Sequence, residues 1–319
     1  MGDQGKACVY GLGAVLLWST VAAAFKLTLR HIDPLQLLLY ASTTALLLLG
    51  GILTLRGKLG LAFGCTVRQY LRSFGLGLLN PFCYYLILFK AYDLLPAQVA
   101  QPLNYTWALT LAVLSIPLLG QKIGARDFTA GIVCYAGVLV ISTGGDFAGF
   151  RIANPLGVGL ALGSTVIWAL YWIENTRDDR DPVAGLFLNF LFGLPFILIA
   201  CLLFSDPRIP SMKGLLGAIY VGVIEMGAAF VLWLTALKLS ENTARVGFLI
   251  FLSPFLSLIF IHFLVGEEIL PSTLIGLVLI VAGLLVQQIR RNQLDKGDRT
   301  CKKPPMTATE EPTCSQTST

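Results

Sequence analysis

GEEILPSTLIGLVLIVAG at residues 266–283 and GQKIGARDFTAGIVCYAG at residues 120–137 each open on a glycine, pass through a polar turn into an apolar run, and close on a glycine seventeen positions later. Working outward from this pair, the chain repeats itself in order. Trp18 in the first apolar stretch is matched by Trp168 in the sixth, about 150 positions on. Asp33-Pro34 opens the second stretch as Asp181-Pro182 opens the seventh, and Ala91 near the end of the third is matched by Ala236 near the end of the eighth. The sequence is thus two copies of one five-segment unit. Because five is odd, a second copy whose segments all cross a membrane enters the bilayer in the opposite orientation.

Composition places the segments in a bilayer. Hydrophobic residues make up 55% of the chain, charged residues only 13%, and the mean hydropathy is +0.75, values typical of membrane proteins. Apolar runs at 8–25, 34–55, 73–89, 97–119, 128–143, 155–173, 182–204, 215–237, 246–265 and 270–289 mostly reach the roughly 17–25 residues that span about 30 Å of hydrocarbon. None alternates polar and apolar residues as a barrel strand does. The predicted fold is an all-α integral membrane protein of ten transmembrane helices, arranged as two inverted five-helix repeats at 1–145 and 146–289. Residues 290–319 are polar and Thr/Ser/Glu-rich, which predicts a disordered cytoplasmic tail.

Lysine and arginine set the orientation. With the N-terminus inside, only Lys26, Arg30, Lys90, Arg151, Arg208 and Lys213 fall outside, so the positive-inside rule puts both termini in the cytoplasm of a cell (inner) membrane. The net charge of +5 then follows from topology and implies no nucleic-acid partner; the partners expected are a small-molecule substrate and the lipid bilayer, with oligomeric state open. Lys6, the first apolar run and Ala22-Ala23-Ala24 also fit a cleaved signal peptide, but cleavage would remove Trp18 and leave an unmatched repeat. Seven cysteines, Cys8, Cys65, Cys83, Cys134, Cys201, Cys301 and Cys314, show no CxxC spacing and read as packing residues. No cofactor and no metal site is expected.

Glu225 carries the chemistry. It lies about ten residues, or ~15 Å of helix, from the outer end of the eighth run, where a carboxylate costs roughly 2.5–3.5 kcal/mol to insert and therefore faces a cavity, a partner or a proton. Aligning Ala91 with Ala236 sets Asn80 opposite it in the first repeat, which predicts a midplane pair and makes Glu225 the candidate for proton coupling. Pro102 and Pro254 lie inside the fourth and ninth runs, and helix breaks in such bundles line the cavity. Around them stand Gln101, Asn104 and Tyr105 at i, i+3 and i+4 on one face, and Ser253. Trp18 and Trp168 complete the candidate substrate-binding set as apolar or cation-binding walls. Gly131, Gly137, Gly276 and Gly283 read as close-approach points between helices, and Glu267 and Glu268 as a solvated turn.

Two five-helix repeats, Trp18-Ser19 in the first helix, and Gly266-Glu267-Glu268 followed by Gly276 and Gly283 together resemble the EamA-type branch of the drug/metabolite transporter superfamily over about residues 8–289. Gln121-Lys122 and Ala130 depart from the pattern in the first half. The resemblance implies a secondary transporter moving small metabolites, such as amino acids or related compounds, by alternating access and in the outward direction. A nucleotide-sugar or phosphorylated-sugar exchanger is the alternative, although it would need paired basic groups deep in the cavity and lysine and arginine fall near helix ends. A membrane-embedded receptor or enzyme is the reading from another class. Against an enzyme stand only two histidines and the lack of HExxH, GxSxG and Walker sequences.

Overall fold

The computed structural model describes residues 3–119, 125–146, 154–175, 177–208, 211–240 and 249–301. Among these residues there is helix and no strand. The elements are α1 (Asp3–Leu29), α2 (Pro34–Leu55), the short α3 (Gly60–Phe63), α4 (Val67–Gly77), α5 (Tyr84–Leu94), α6 (Ala97–Tyr105), α7 (Trp107–Leu119), α8 (Ala125–Ser142), α9 (Pro155–Asn175), α10 (Pro182–Phe204), α11 (Met212–Val223), α12 (Ala229–Leu239), α13 (Ser253–Phe260) and α14 (Pro271–Cys301). Six helical stretches among them are long and apolar enough to cross a membrane: Asp3–Leu29, Pro34–Leu55, Val67–Leu94, Pro155–Asn175, Pro182–Phe204 and Met212–Trp233. Thr129–Ser142, Ile250–Val265 and Pro271–Val286 are shorter apolar helices.

Local chemistry explains where several helices begin. Asp33 caps α2, its Oδ1 accepting from the N–H groups of Leu35 at 2.8 Å and Gln36 at 3.0 Å, while the Gln36 side chain accepts from the Asp33 N–H at 3.1 Å. Asp181 caps α10 through Val183 and Ala184. In both, proline takes the first helical position, where its missing N–H is no loss. The last helix continues past Arg290 to Cys301; residues 302–319, with Pro304-Pro305 and Cys314, lie outside the described residues.

Three helices are interrupted near their middles. A wide π-helical turn, Leu78–Cys83, joins α4 to α5, and within it Asn80 leaves helical geometry at φ −147°, ψ 118°, as the ring of the following Pro81 demands. A second such turn, Ile224–Ala228, joins α11 to α12 and contains Glu225. The fourth run divides at Thr106, between α6 and α7, four residues beyond Pro102. Pro254 lies in the first turn of α13, after a single 3₁₀ turn at Ile250–Leu252. Pro117 and Pro195 sit inside helices that continue through them.

Helices pair across the two halves of the sequence. α1 packs on α12 and α13, and its counterpart α9 packs on α5, α6 and α7; α2 packs on α11 as α10 packs on α4; α2 and α10 touch each other, as do α8 and α14. Small residues bring these backbones together, because between lipid-immersed helices van der Waals contact replaces the hydrophobic drive. A methyl group added at Gly137 would stand 2.5 Å from the Gly276 carbonyl oxygen, one at Gly276 2.7 Å from that of Gly137, and one at Gly283 2.7 Å from that of Ala130. Gly131 differs from the other three, its nearest neighbour being the Leu109 side chain at 4.0 Å. At corresponding places in the two halves, Gly77 abuts the α10 backbone at Asn189 and Gly193, and Gly222 abuts the α2 backbone at Ala41.

Candidate functional site

The wide turns at Leu78–Cys83 and Ile224–Ala228 carry Asn80 and Glu225, and a third lies at Ile261–Val265. A π turn adds a residue to the helix and re-aims the side chains that follow, and such turns are frequent at functional sites. From the second turn, Glu225 Oε1 accepts a hydrogen bond from the Tyr85 hydroxyl at 3.1 Å, and the Trp18 indole N–H reaches the same carboxylate; Oε2 makes no hydrogen bond of normal geometry. No lysine or arginine among the described residues pairs with Glu225. The hydroxyls of Tyr84 and Tyr105 lie within electrostatic range of it. Glu225 is enclosed by protein yet keeps some exposed surface.

Aromatic rings wall this region. Tyr84 and Trp168 stack with centroids 4.4 Å apart and planes at 23°. Trp168 meets Phe230 edge-on at 5.9 Å, and Phe230 meets Trp18 edge-on at 6.0 Å. Trp18 also leans on Trp233 at 5.4 Å. The two matched tryptophans thus lie on either side of Phe230, which follows Glu225 by five positions as Tyr85 follows Asn80.

Polar groups from the broken fourth run complete the arrangement. Asn104 accepts from the Tyr84 hydroxyl at 3.4 Å and donates to Ser164 Oγ at 2.9 Å. Tyr105 lies close to Ser253, whose hydroxyl is buried without a hydrogen bond of normal geometry. Gln101 is buried with its Oε1 unpartnered, and the hydroxyl of Ser257 is likewise buried without a hydrogen bond. Burying an unpaired polar group costs roughly 1–3 kcal/mol.

Asn80 is the exception to the predicted constellation. It does not meet Glu225 among the described residues. Its side chain lies beside Tyr171, which also accepts from Asn189 Nδ2 at 3.3 Å, and neither Asn80 amide atom makes a hydrogen bond of normal geometry. The extended backbone at Asn80 turns its side chain toward α9 and α10, whereas Glu225 sits on a turn that stays helical. The structure therefore brings Trp18 and Tyr85 to Glu225, joins Trp168 to them through Tyr84 and Phe230, and leaves Asn80 in a neighbouring polar nest. Tyr85 and Phe230 were legible only as members of an aromatic wall or an apolar run.

Other titratable groups have structural partners. Glu174 pairs with Arg177 at 2.7 Å and Lys90 with Asp93 at 2.6 Å. Lys26 Nζ donates to the carbonyls of Tyr92 and Leu95, each at 2.8 Å. Glu267 is more than a solvated turn, since its carboxylate accepts from the N–H groups of Ala97 at 2.8 Å and Gln98 at 3.1 Å. Gln121-Lys122 and Arg245 lie outside the described residues. Cys8, Cys65, Cys83, Cys134 and Cys201 are free thiols, and no group of side chains among the described residues could hold a metal ion.

The family model of EamA-like transporters matches the chain twice, at residues 5–143 and 155–287. The chain belongs to the EamA-like transporter family. Each match spans one half of the chain, and together they include the wide turns at Leu78–Cys83 and Ile224–Ala228. A protein named aromatic amino acid exporter YddG from Ancylobacter novellus is 27% identical over 262 residues, which are 80% of this chain and 87% of that protein. The transporter YvbV of Bacillus subtilis is 26% identical over 284 residues, 85% of this chain and 87% of that one. A solved crystal structure at 24% identity superposes with a TM-score of 0.65 over 91% of this chain and 99% of its own, which shows a shared fold. This member of the drug/metabolite transporter superfamily is therefore a multi-pass integral membrane transporter, with a small-molecule substrate and the bilayer as its partners.

Proposed function

We propose that this transporter exports small metabolites, amino acids or related compounds, by alternating access, and that Glu225 couples their movement to protons. In this reading ten membrane helices form two inverted five-helix repeats, both termini are cytoplasmic, and the protein sits in the cell (inner) membrane. The exchange of packing partners between halves supports the repeat: α1 with α12 against α9 with α5, and α2 with α11 against α10 with α4. Rocking of one set of helices past the other, along the Gly77 and Gly222 contacts, would open the cavity to each side in turn.

The observation that carries the proposal is the Glu225 carboxylate, set in a wide turn midway along a membrane helix and held by Tyr85 at 3.1 Å within an aromatic wall. A lone carboxylate with no basic partner among the described residues can hold either a proton or the ammonium group of a cargo molecule, and competition between the two is the simplest form of exchange. Trp18, Trp168 and Tyr84 would cover the apolar part of such a molecule and attract its cation. Gln101, Asn104, Tyr105 and Ser253 supply neutral hydrogen-bonding groups for the rest. The relative named as an aromatic amino acid exporter is in keeping with this lining. Asn80 joins the proposed substrate-binding set as a more distant member, through the Tyr171 nest.

The test is uptake of a panel of labelled amino acids, aromatic and aliphatic, into proteoliposomes containing the purified protein. Saturable counterflow of one chemical group supports the proposal. Absence of flux for the whole panel, with the protein monodisperse, refutes the amino-acid reading.

A further inference from the structure

We infer that Glu267 is the latch of a gate at the end of the bundle that carries Lys26, Arg30 and Gly266, and that this latch biases the transport cycle toward the state closed at that end. The inference rests on the alternating-access reading above. The gate is the corner between α5 and α6, Leu94 to Ala97, in the first half of the chain. On its amide side, Glu267 of the second half accepts from the N–H groups of Ala97 and Gln98 at 2.8 and 3.1 Å, placing a carboxylate on the positive end of α6. On its carbonyl side, the Lys26 ammonium closes the negative end of α5. Both helix ends thus receive the charge that their backbone dipoles favour.

Gln98 extends the seam. It is buried, donates through Nε2 to the Glu268 carbonyl at 2.7 Å, and accepts at Oε1 from the Leu270 N–H and the Thr273 hydroxyl, each at 3.0 Å. Arg30 adds a bond to the Val265 carbonyl at 2.7 Å. These bonds tie the first half to the second, so an opening at this end has to break them. At the far ends of α2 and α12 a pocket of about 230 Å³ is lined by Arg56, Lys58, Asp181 and Thr235 among others, and there the halves are joined by the more exposed Lys58–Asp181 pair. The sequence repeat is also asymmetric here. Gln121 follows Gly120 where Glu267 follows Gly266, so this carboxylate occurs once in the repeat; the opposite end is tied instead by the ion pairs Lys58–Asp181 at 3.0 Å and Arg72–Glu174 at 3.8 Å.

The experiment measures which side of the membrane reaches the cavity. In the full-length chain with its native cysteines replaced and Ser253→Cys as reporter, a membrane-impermeant maleimide is added to either face of oriented proteoliposomes. Glu267→Gln keeps the shape and removes the charge; it should raise the labelling rate from the Lys26 side about tenfold, the factor that about 1.4 kcal/mol produces, and lower the rate from the other side. Gln98→Ala should act in the same direction. A unique fold is checked by the thermal midpoint of each variant. Labelling that rises equally from both faces reports loosened packing and overturns the latch, as does labelling unchanged in both variants. Either failure would leave the flux result of the preceding section standing, which separates the latch from the transport proposal.

Discussion

Tyr85 donates its hydroxyl proton to Oε1 of Glu225 at 3.1 Å, across 140 positions of sequence. The bond links the start of α5 in one half to the wide turn between α11 and α12 in the other, so the carboxylate is positioned by both halves at once. A hydrogen bond to a charged group contributes about 1.5–3 kcal/mol. Tyr85→Phe should therefore reduce transport about tenfold or more while leaving the ring contacts with Phe89 and Tyr84 in place. Flux together with the thermal midpoint in detergent checks this, and a variant that transports like the parent would show that the bond is incidental.

Trp168 stacks on Tyr84 at 4.4 Å, and an aromatic pair of this kind contributes about 0.5–1.5 kcal/mol beyond its buried area. Trp168→Phe, which keeps a ring face, should raise the KM of an aromatic cargo about two- to tenfold. Trp168→Ala should raise it further and lower stability as well. Equal KM values for the parent and the alanine variant would place the cargo elsewhere.

Packing at the glycine contacts gives a prediction about stability alone. A methyl at Gly137 meets the Gly276 carbonyl oxygen at 2.5 Å, whereas one at Gly51 meets nothing within 4 Å. Gly137→Ala should destabilise by about 1–3 kcal/mol, the usual penalty of overpacking, and Gly51→Ala should be neutral or slightly stabilising. The comparison is made by thermal unfolding of both variants in the same detergent. Equal midpoints would deny that α8 and α14 approach through their backbones.

Acid sensitivity at the other end of the bundle follows from Asp181. Burial alone would raise its carboxyl, but the hydrogen bond from Lys58 and the N–H groups of Val183 and Ala184 outweigh that and hold it below its ordinary value of 3.8. A group whose folded pKa is depressed contributes stability above its unfolded pKa and loses it as pH falls through the folded value. Lys58 is half exposed and adds little through the surface pair, so the helix cap dominates. Asp181→Ala should cost about 1 kcal/mol at neutral pH, with the difference shrinking below pH ~4. A difference that is constant across that range would remove the capping account.

How much of this was legible depended on distance along the chain. Asp33-Pro34 and Asp181-Pro182 announced their helices because a cap and an N1 proline act within three residues. Gly137, Gly276 and Gly283 were legible as contacts because lipid offers helices no other reason to carry glycine there. The facing of Asn80 and Glu225 was not, since each sits in a turn that departs from the period of 3.6 on which such counting rests; Asn80 is turned aside by Pro81 and Glu225 is not. Nor could the sequence show Glu267 capping α6, which depends on two segments about 170 positions apart meeting at one end of the bundle.

The most direct test of the central claim is proton-driven flux with Glu225 neutralised. Purified protein and Glu225→Gln are compared in proteoliposomes with an imposed pH gradient and the cargo found by counterflow. The account predicts that the gradient drives accumulation in the parent and fails to do so in Glu225→Gln, while the variant keeps its thermal midpoint. Gradient-driven accumulation undiminished in Glu225→Gln would contradict it.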